Sequence, residues 1–391
     1  MNDSRSVIRF VNLAHFLDHY AMLIFAAAVV VMAPRFGMTY SELLPYATPG
    51  FIAFGAGALG TGWLGDRWSR RHMLAIYFLG LGLALIATGF TRTPSQLGLT
   101  LFAVGSFASI YHPVGTAMLV AYADQVGREV GINGVWGNLG VASAALATGI
   151  LTQYFGWQIA FVVPGVITLV SGAAFVRAVA DEKRIAGSSG SSGARVPRES
   201  MRRVIVALVV TIIASSTTFN AITVALPKLF AERLSTWTQS TAWIGFIAAS
   251  VYVFGALAQY MIGRLLDRHS LKSVFLPMAF LLAPLLVAAA HAGGATLIAI
   301  SIGIVIGIFG QVTINDAMVA RYTSDQWRAR AFAARYFLGF TAAGASVALV
   351  AWLHERGGFQ LMLQAFGTLC LLVILGAFIF PRDEAPSDAA A

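Results

Sequence analysis

The sequence predicts an all-α integral membrane protein of twelve spanning helices, arranged as two pseudo-symmetric six-helix bundles. Three observations predict it. The 391 residues are 58% hydrophobic and only 11% charged, with a mean hydropathy of +0.76. Apolar stretches of about 20 residues recur, the length at which a helix crosses hydrocarbon with every backbone N–H and C=O satisfied inside the segment. The third observation is a charged turn, Gly62-Trp63-Leu64-Gly65-Asp66-Arg67-Trp68-Ser69-Arg70-Arg71, which returns in weaker form 201 positions later as Gly263-Arg264-Leu265-Leu266-Asp267-Arg268-His269-Ser270-Leu271-Lys272. Each copy sits between two long apolar segments, so two similar bundles have been joined.

In chain order the expected spans are 8–32, 43–65, 72–91, 96–121, 130–153, 157–177, 203–227, 240–263, 272–291, 295–319, 330–352 and 358–380, with ends placed to within about 4 residues. The second span carries Gly55, Gly57, Gly60 and Gly62, small residues that let neighbouring helices approach closely. The domains are then residues 1–177 and 203–391, six helices each, around a linker at 178–202. The middle of that linker, Ile185 to Ala194, is a Gly/Ser tract with no fold of its own, which lets the two halves move as separate bodies.

The formal net charge of +9 raises nucleic acid as a partner, but the placement of the basic residues excludes it. With the N-terminus inside, only Arg35, Arg92, Lys228, Arg233 and Arg356 of the 26 Lys and Arg fall on the outer side. That asymmetry obeys the positive-inside rule and puts both termini in the cytoplasm, with the chain in the bilayer of a bacterial inner membrane. Ala26-Ala27-Ala28 is not a signal-peptidase site, because His15, Asp18 and His19 interrupt what should be a uniformly apolar stretch. The lone Cys370 rules out a disulfide framework and a thiolate cluster.

The repeat extends beyond the turn. Residues 105–118 align with 305–318 at an offset of 200, which also brings Arg128 into register with Arg328 and Trp136 with Tyr336. Taken with the turn, these residues resemble the major facilitator superfamily of secondary transporters. Its signature between helices two and three reads Gly-x-x-x-Asp-Arg-x-Gly-Arg-Arg; Gly62, Asp66, Arg67, Arg70 and Arg71 match it, and Ser69 stands where the family has glycine. His112-Pro113-x-Gly115 and His15-x-x-Asp18 look most like the branch of bacterial permeases that includes fosmidomycin-resistance exporters. The resemblance implies alternating access by a monomer, and a cytoplasmic gate made by the charged turns. Asp66, Arg67, Arg70 and Arg71, with Asp267 and Arg268, would latch the inner side shut in the outward-facing state. A solvated turn that only sets topology is the alternative.

Helix one holds the sharpest local signal. Asn12, His15, Asp18 and His19 fall within an arc of about 120° on one face, and ionisable groups at this depth are costly unless they face a cavity or each other. A carboxylate beside two imidazoles can change its proton occupancy near neutral pH, which is what a proton-coupling site needs. Helix four puts Ser109, His112 and Thr116 on one face, and Pro113 is expected to open the backbone ladder just past His112. Asn138 of helix five, Asn220 of helix seven, and Gln311 and Asn315 of helix ten complete the polar lining of the expected cavity. Trp136 either stacks on a substrate or packs. Asp316 lies near the inner end of helix ten, within reach of Arg321 or Arg335, as a gate or structural ion pair.

These residues point to proton-coupled transport of a small organic solute, with export of a drug-like or amphiphilic molecule first and uptake of an organic acid second. Helix five lacks the Gly-x-x-x-Gly-Pro-x-x-Gly-Gly pattern frequent in the superfamily's exporters, and Gln158 stands in the following loop where arginine is usual, both of which weigh against drug/proton antiport. A transition-metal transporter is the remaining rival, since His15, Asp18, His19 and His112 offer nitrogen and oxygen ligands. No resident metal or cofactor is expected. Without HExxH, GxSxG or a Gly-rich phosphate loop, an enzyme is not expected.

Overall fold

The computed structural model describes residues 4–180, 198–323 and 325–381, and the described residues are almost wholly helical. The Gly/Ser tract of the linker and the tail from residue 382 lie outside them. The first half comprises α1 (Ser4–Arg35), a short α2 (Tyr40–Leu43) leading through a 3-10 turn into α3 (Thr48–Arg67), α4 (Arg70–Gly89), α5 (Pro94–Ala108), α6 (Tyr111–Tyr122), α7 (Val126–Phe155) and α8 (Trp157–Ala178). The second comprises α9 (Arg198–Arg233), α10 (Thr241–Arg268), α11 (Leu271–Ala289), α12 (Gly294–Tyr322), α13 (Asp325–Leu369) and α14 (Leu371–Ile379).

Eleven described stretches are long and apolar enough to cross a membrane, and the last of them, Ala334–Ile379, has 46 residues. At 1.5 Å per residue so long a helix would reach about twice across the hydrocarbon. Gly357 and Gly358 divide it, and Gly358 takes φ +60°, a turn that side-chain-bearing residues rarely make. Two spans result, for twelve in all.

Helix four breaks three residues before the expected place. The helix ends at Ala108 and restarts at Tyr111, so that Pro113 sits in the first turn of α6. The physical reason is that a proline ring collides with the carbonyl four residues back, here that of Ser109. Freed from the ladder, that carbonyl accepts a hydrogen bond from the Thr61 hydroxyl of α3 at 3.0 Å.

The two halves meet mainly along α3 against α13 and α7 against α10. On the outer side, opposite the basic turns, both seams are shut. Gly149 of α7 and Gly245 of α10 touch backbone to backbone: a Cβ at Gly245 would lie 2.4 Å from the Ala145 carbonyl oxygen, and one at Gly149 equally close to that of Thr241. Gln153 accepts hydrogen bonds from Ser240 and the Ala242 N–H. On the other seam His354 sits 2.9 Å from Ser41 and 3.2 Å from Glu232, which Lys228 also holds at 3.2 Å. Towards the inner side α7 and α10 still touch at Asn138 and Gln259, whose side chains are hydrogen-bonded. One turn further in, Gly134 and Gly263 have open space where a side chain would project.

Replacing Gly245 by Val should therefore wedge α7 from α10 at the outer end. The expected cost is about 1–3 kcal/mol of stability, read by thermal unfolding in detergent, together with a lengthened distance between spin labels on the two outer ends. Unchanged distance and stability would mean that this contact does not hold the outer seam.

Candidate functional site

Asp18 lies near the middle of α1 and has no solvent exposure. Its carboxylate accepts no hydrogen bond, and its nearest ionisable neighbour is Nε2 of His112, 3.6 Å away on α6. The rings of His15, His19 and His112 lie together: their centroids are 4.9 to 5.5 Å apart, and one nitrogen from each lies within 4.8 Å of the others. All three rings keep partial exposure. Those three nitrogens are the atoms in this region that could hold a metal ion.

The cluster is oriented from behind by Asn133 of α7. His15 Nδ1 donates to the Asn133 carbonyl at 2.8 Å, while the Asn133 amide donates to Asn12 at 2.9 Å and accepts from the Tyr111 hydroxyl at 3.0 Å. Because a carbonyl can only accept, the proton sits on Nδ1 and the Nε2 lone pair of His15 points to Nε2 of His19, 3.1 Å away. Tyr111 stacks on His15 with centroids 4.8 Å apart, and Tyr77 bonds the Ala14 carbonyl one turn away. The ring of His15 fits because its neighbour on α7 is Gly137: a Cβ there would lie 2.6 Å from Nε2.

From the other half, Tyr336 stacks on His112 at 5.6 Å and Phe340 packs against it at 5.2 Å. Arg335 lies over the Tyr336 ring at 5.0 Å and pairs with Asp316 at 2.9 Å. A continuous chain thus runs from Asp316 through Arg335, Tyr336 and His112 to Asp18, and it crosses between the halves at His112. Asp316 and Arg335 belong to the same half, so their ion pair joins α12 to α13 and does not itself latch one half to the other.

Several expected lining residues are placed elsewhere. Thr116 is exposed and apart from the cluster, and Ser109 donates back to the Ser106 carbonyl while packing against Gly57 of α3. Ser109 falls in the break between α5 and α6, whereas Thr116 follows His112 by one turn within α6. Asn220 ties α9 to α13 through the Ala343 carbonyl and Ser346. Gln311 and Asn315 are buried together against Thr211 and Ser215 in the second half, away from the histidines. Trp136 is 37% exposed with its edge to Phe16, and Asn138 reaches across to Gln259. Asp18 itself has no contact with open space; the cavity of about 310 Å³ lies instead on the outer side, among Val30, Pro34, Tyr40, Lys228 and His354.

In this conformation the charged turns bond within their own halves. Asp66 pairs with Arg70 at 3.0 Å, Arg67 lies over Trp63, and Arg71 donates to the carbonyls of Val176 and Val179. Asp267 and Arg268 are exposed, with no ion pair among the described residues.

Sequence reasoning undervalued Asn133, Tyr111, Gln259 and Phe340. Asn133 had a signal, as a polar residue one turn from Trp136 and Gly137 in an apolar helix. Phe340 and Gln259 had none, because only the packing of one half on the other brings them in.

The family model of the Major Facilitator Superfamily matches residues 11–243 and again 208–391. The chain belongs to that superfamily. With its apolar spans, this makes it a multi-pass membrane protein of that family. Among curated relatives, a puromycin resistance protein from Streptomyces alboniger is 33% identical over 110 residues, covering 27% of this chain and 22% of its own. A 4-hydroxybenzoate transporter from Pseudomonas aeruginosa is 27% identical over 39% of this chain and 34% of its own, and a niacin transporter from Acinetobacter baylyi is 30% identical over 40% and 36%. The matched segments thus span about a fifth to a third of these relatives. A bacterial homologue of the human lysosomal transporter Spinster, solved in inward-facing unoccupied and occupied conformations, has the same fold, with TM-scores of 0.76 and 0.78, 12% identity and at least 96% coverage of both chains.

Replacing Asn133 by Ala should leave the Tyr111 hydroxyl and the Asn12 carbonyl oxygen without their partner, at about 1–3 kcal/mol. His15 should keep its orientation, because its Nδ1–H bonds the Asn133 backbone carbonyl, which Ala retains. Thermal unfolding reads the first and the histidine NMR signals read the second.

Proposed function

We propose that this transporter couples the movement of a small organic solute to protons, with Asp18 as the coupling carboxylate and His15, His19 and His112 as its partners. One observation carries the reading: a fully buried carboxylate without a hydrogen bond faces the histidine on which the second half of the protein rests. A change of proton at Asp18 or His112 alters the charge at the contact between halves, and coupling requires that kind of difference between states.

The preferred direction is export of a drug-like or amphiphilic molecule, as supported by the similarity to the puromycin resistance protein. A second reading, proton-driven movement of an aromatic carboxylic acid, is supported by the relatives that carry 4-hydroxybenzoate and niacin. The arginine-rich side is taken as cytoplasmic in a bacterial inner membrane, with both termini there and a monomer as the working unit. On that orientation the shut outer seams and spread inner ends describe an inward-facing state. The gate residues Asp66, Arg67, Arg70, Arg71, Asp267 and Arg268 would then meet across the halves only when the inner side closes.

Proteoliposomes loaded with puromycin or 4-hydroxybenzoate test the coupling. Under an imposed pH gradient, wild-type flux of one probe should exceed that of Asp18→Asn by about 5-fold to 150-fold, with solute counterflow retained in the variant. Equal gradient-driven flux in both proteins would remove Asp18 from coupling. Asp66→Asn at equal expression should slow transport, and an unchanged rate would remove the latch.

A further inference from the structure

We propose that the same cluster binds a first-row divalent transition-metal ion through one imidazole nitrogen each from His15, His19 and His112, with Asp18 supplying the balancing negative charge. The inference rests on the reading of this cluster as the coupling site, and goes beyond it in naming a second occupant.

The geometry comes first. Three ring nitrogens lie within 4.8 Å of one another, and the Nε2 atoms of His15 and His19 are 3.1 Å apart. Two imidazole nitrogens on one tetrahedral zinc-like ion, each at about 2.0–2.1 Å, stand about 3.3–3.4 Å from each other. The first two nitrogens thus already stand near that spacing, and ligation asks His19 to shift its proton from Nε2 to Nδ1.

Orientation comes next. His15 donates its Nδ1–H to the Asn133 carbonyl, which leaves the Nε2 lone pair aimed into the cluster. This is how proteins commonly fix a ligating histidine: the far nitrogen bonds a carbonyl or carboxylate and the near one is left for the metal. Asn133 is itself clamped by Asn12 and Tyr111, so the ring is held on both sides.

Two further groups ask for a partner. Both oxygens of Asp18 and Nε2 of His112 are buried with no hydrogen bond, an arrangement that a cation between these residues would satisfy. Three imidazoles with a carboxylate nearby suit Zn²⁺, Co²⁺ or Ni²⁺. They do not suit Ca²⁺ or Mg²⁺, which take oxygen ligands, and the lone Cys370 is buried against Thr218 on other helices. Ligation needs unprotonated rings and carboxylate, so the ion and the coupling proton compete for one site.

The test uses the full chain, purified without a polyhistidine tag, with Co²⁺ alone as the probe. Wild type should take up one Co²⁺ per chain with the visible absorption of a tetrahedral site, and Zn²⁺ should displace it. His19→Gln should lose the band, Asp18→Asn should bind about 10-fold to 100-fold more weakly, and His291→Gln on the outer face should match wild type. Thermal unfolding without metal checks that each variant is folded; if His19→Gln is not, the wild-type spectrum and stoichiometry carry the test. No tetrahedral band in wild type at millimolar Co²⁺ overturns the inference, as does an equal band in folded His19→Gln. Absent Co²⁺ binding beside Asp18-dependent flux overturns the metal site alone. Binding beside flux that ignores Asp18→Asn supports the metal site and overturns the coupling reading.

Discussion

A carboxylate without a hydrogen bond in the interior of a membrane protein is tolerated only with a cation, a proton or an imidazolium against it, since an isolated charge there costs several kcal/mol. Asp18 is in that condition, and the surrounding structure follows from it. His112 stands beside the carboxylate, His15 and His19 stand beside His112, and Asn133 of a neighbouring helix holds His15 in one tautomer. The second half of the protein then rests its own aromatic residues, Tyr336 and Phe340, on His112. A requirement for positive charge at one point is in this way placed where the two halves touch.

The seams explain how that point can matter to motion. Glycine pairs let α7 and α10 touch along their outer halves, while polar contacts made by Gln153, Ser41, Glu232 and His354 close the outer ends. None of these contacts is large, and hydrogen bonds to neutral partners are individually worth about 0.5–1.5 kcal/mol. A seal made of many small terms can be exchanged for a similar seal on the other side, which is what rocking between two states demands. In the inner turn of the first half, Asp66, Arg70 and Arg71 are bonded within their own half.

The superfamily membership and the local chemistry sit on different levels. Fold follows from the repeat and the family match, but fold alone does not say what is carried. The buried polar groups here are imidazoles with Asp18 in the first half and amides and hydroxyls in the second. The asymmetry between Asp18 and its near counterpart Asn220 confines the charge to one bundle, so only one of the two pseudo-equivalent positions can respond to a proton.

Composition, the charged turn and its copy were enough to determine twelve spans and two halves, because bilayer thickness and backbone hydrogen bonding leave a chain this apolar few alternatives. The shared face of Asn12, His15, Asp18 and His19 was legible too, since helical periodicity within one segment needs no tertiary information. The placing of Ser109 outside the helix of His112 was not, because Pro113 acts on a carbonyl four residues back and the helix breaks there. Asn220, Gln311 and Asn315 were read as cavity residues from polarity alone, whereas packing used their amides to tie helices of the second half together. Only the tertiary structure brought His112 to Asp18, Asn133 behind His15, and Tyr336 and Phe340 across the divide. Those contacts join residues from separate helices, and no periodicity along the chain encodes the distance between them.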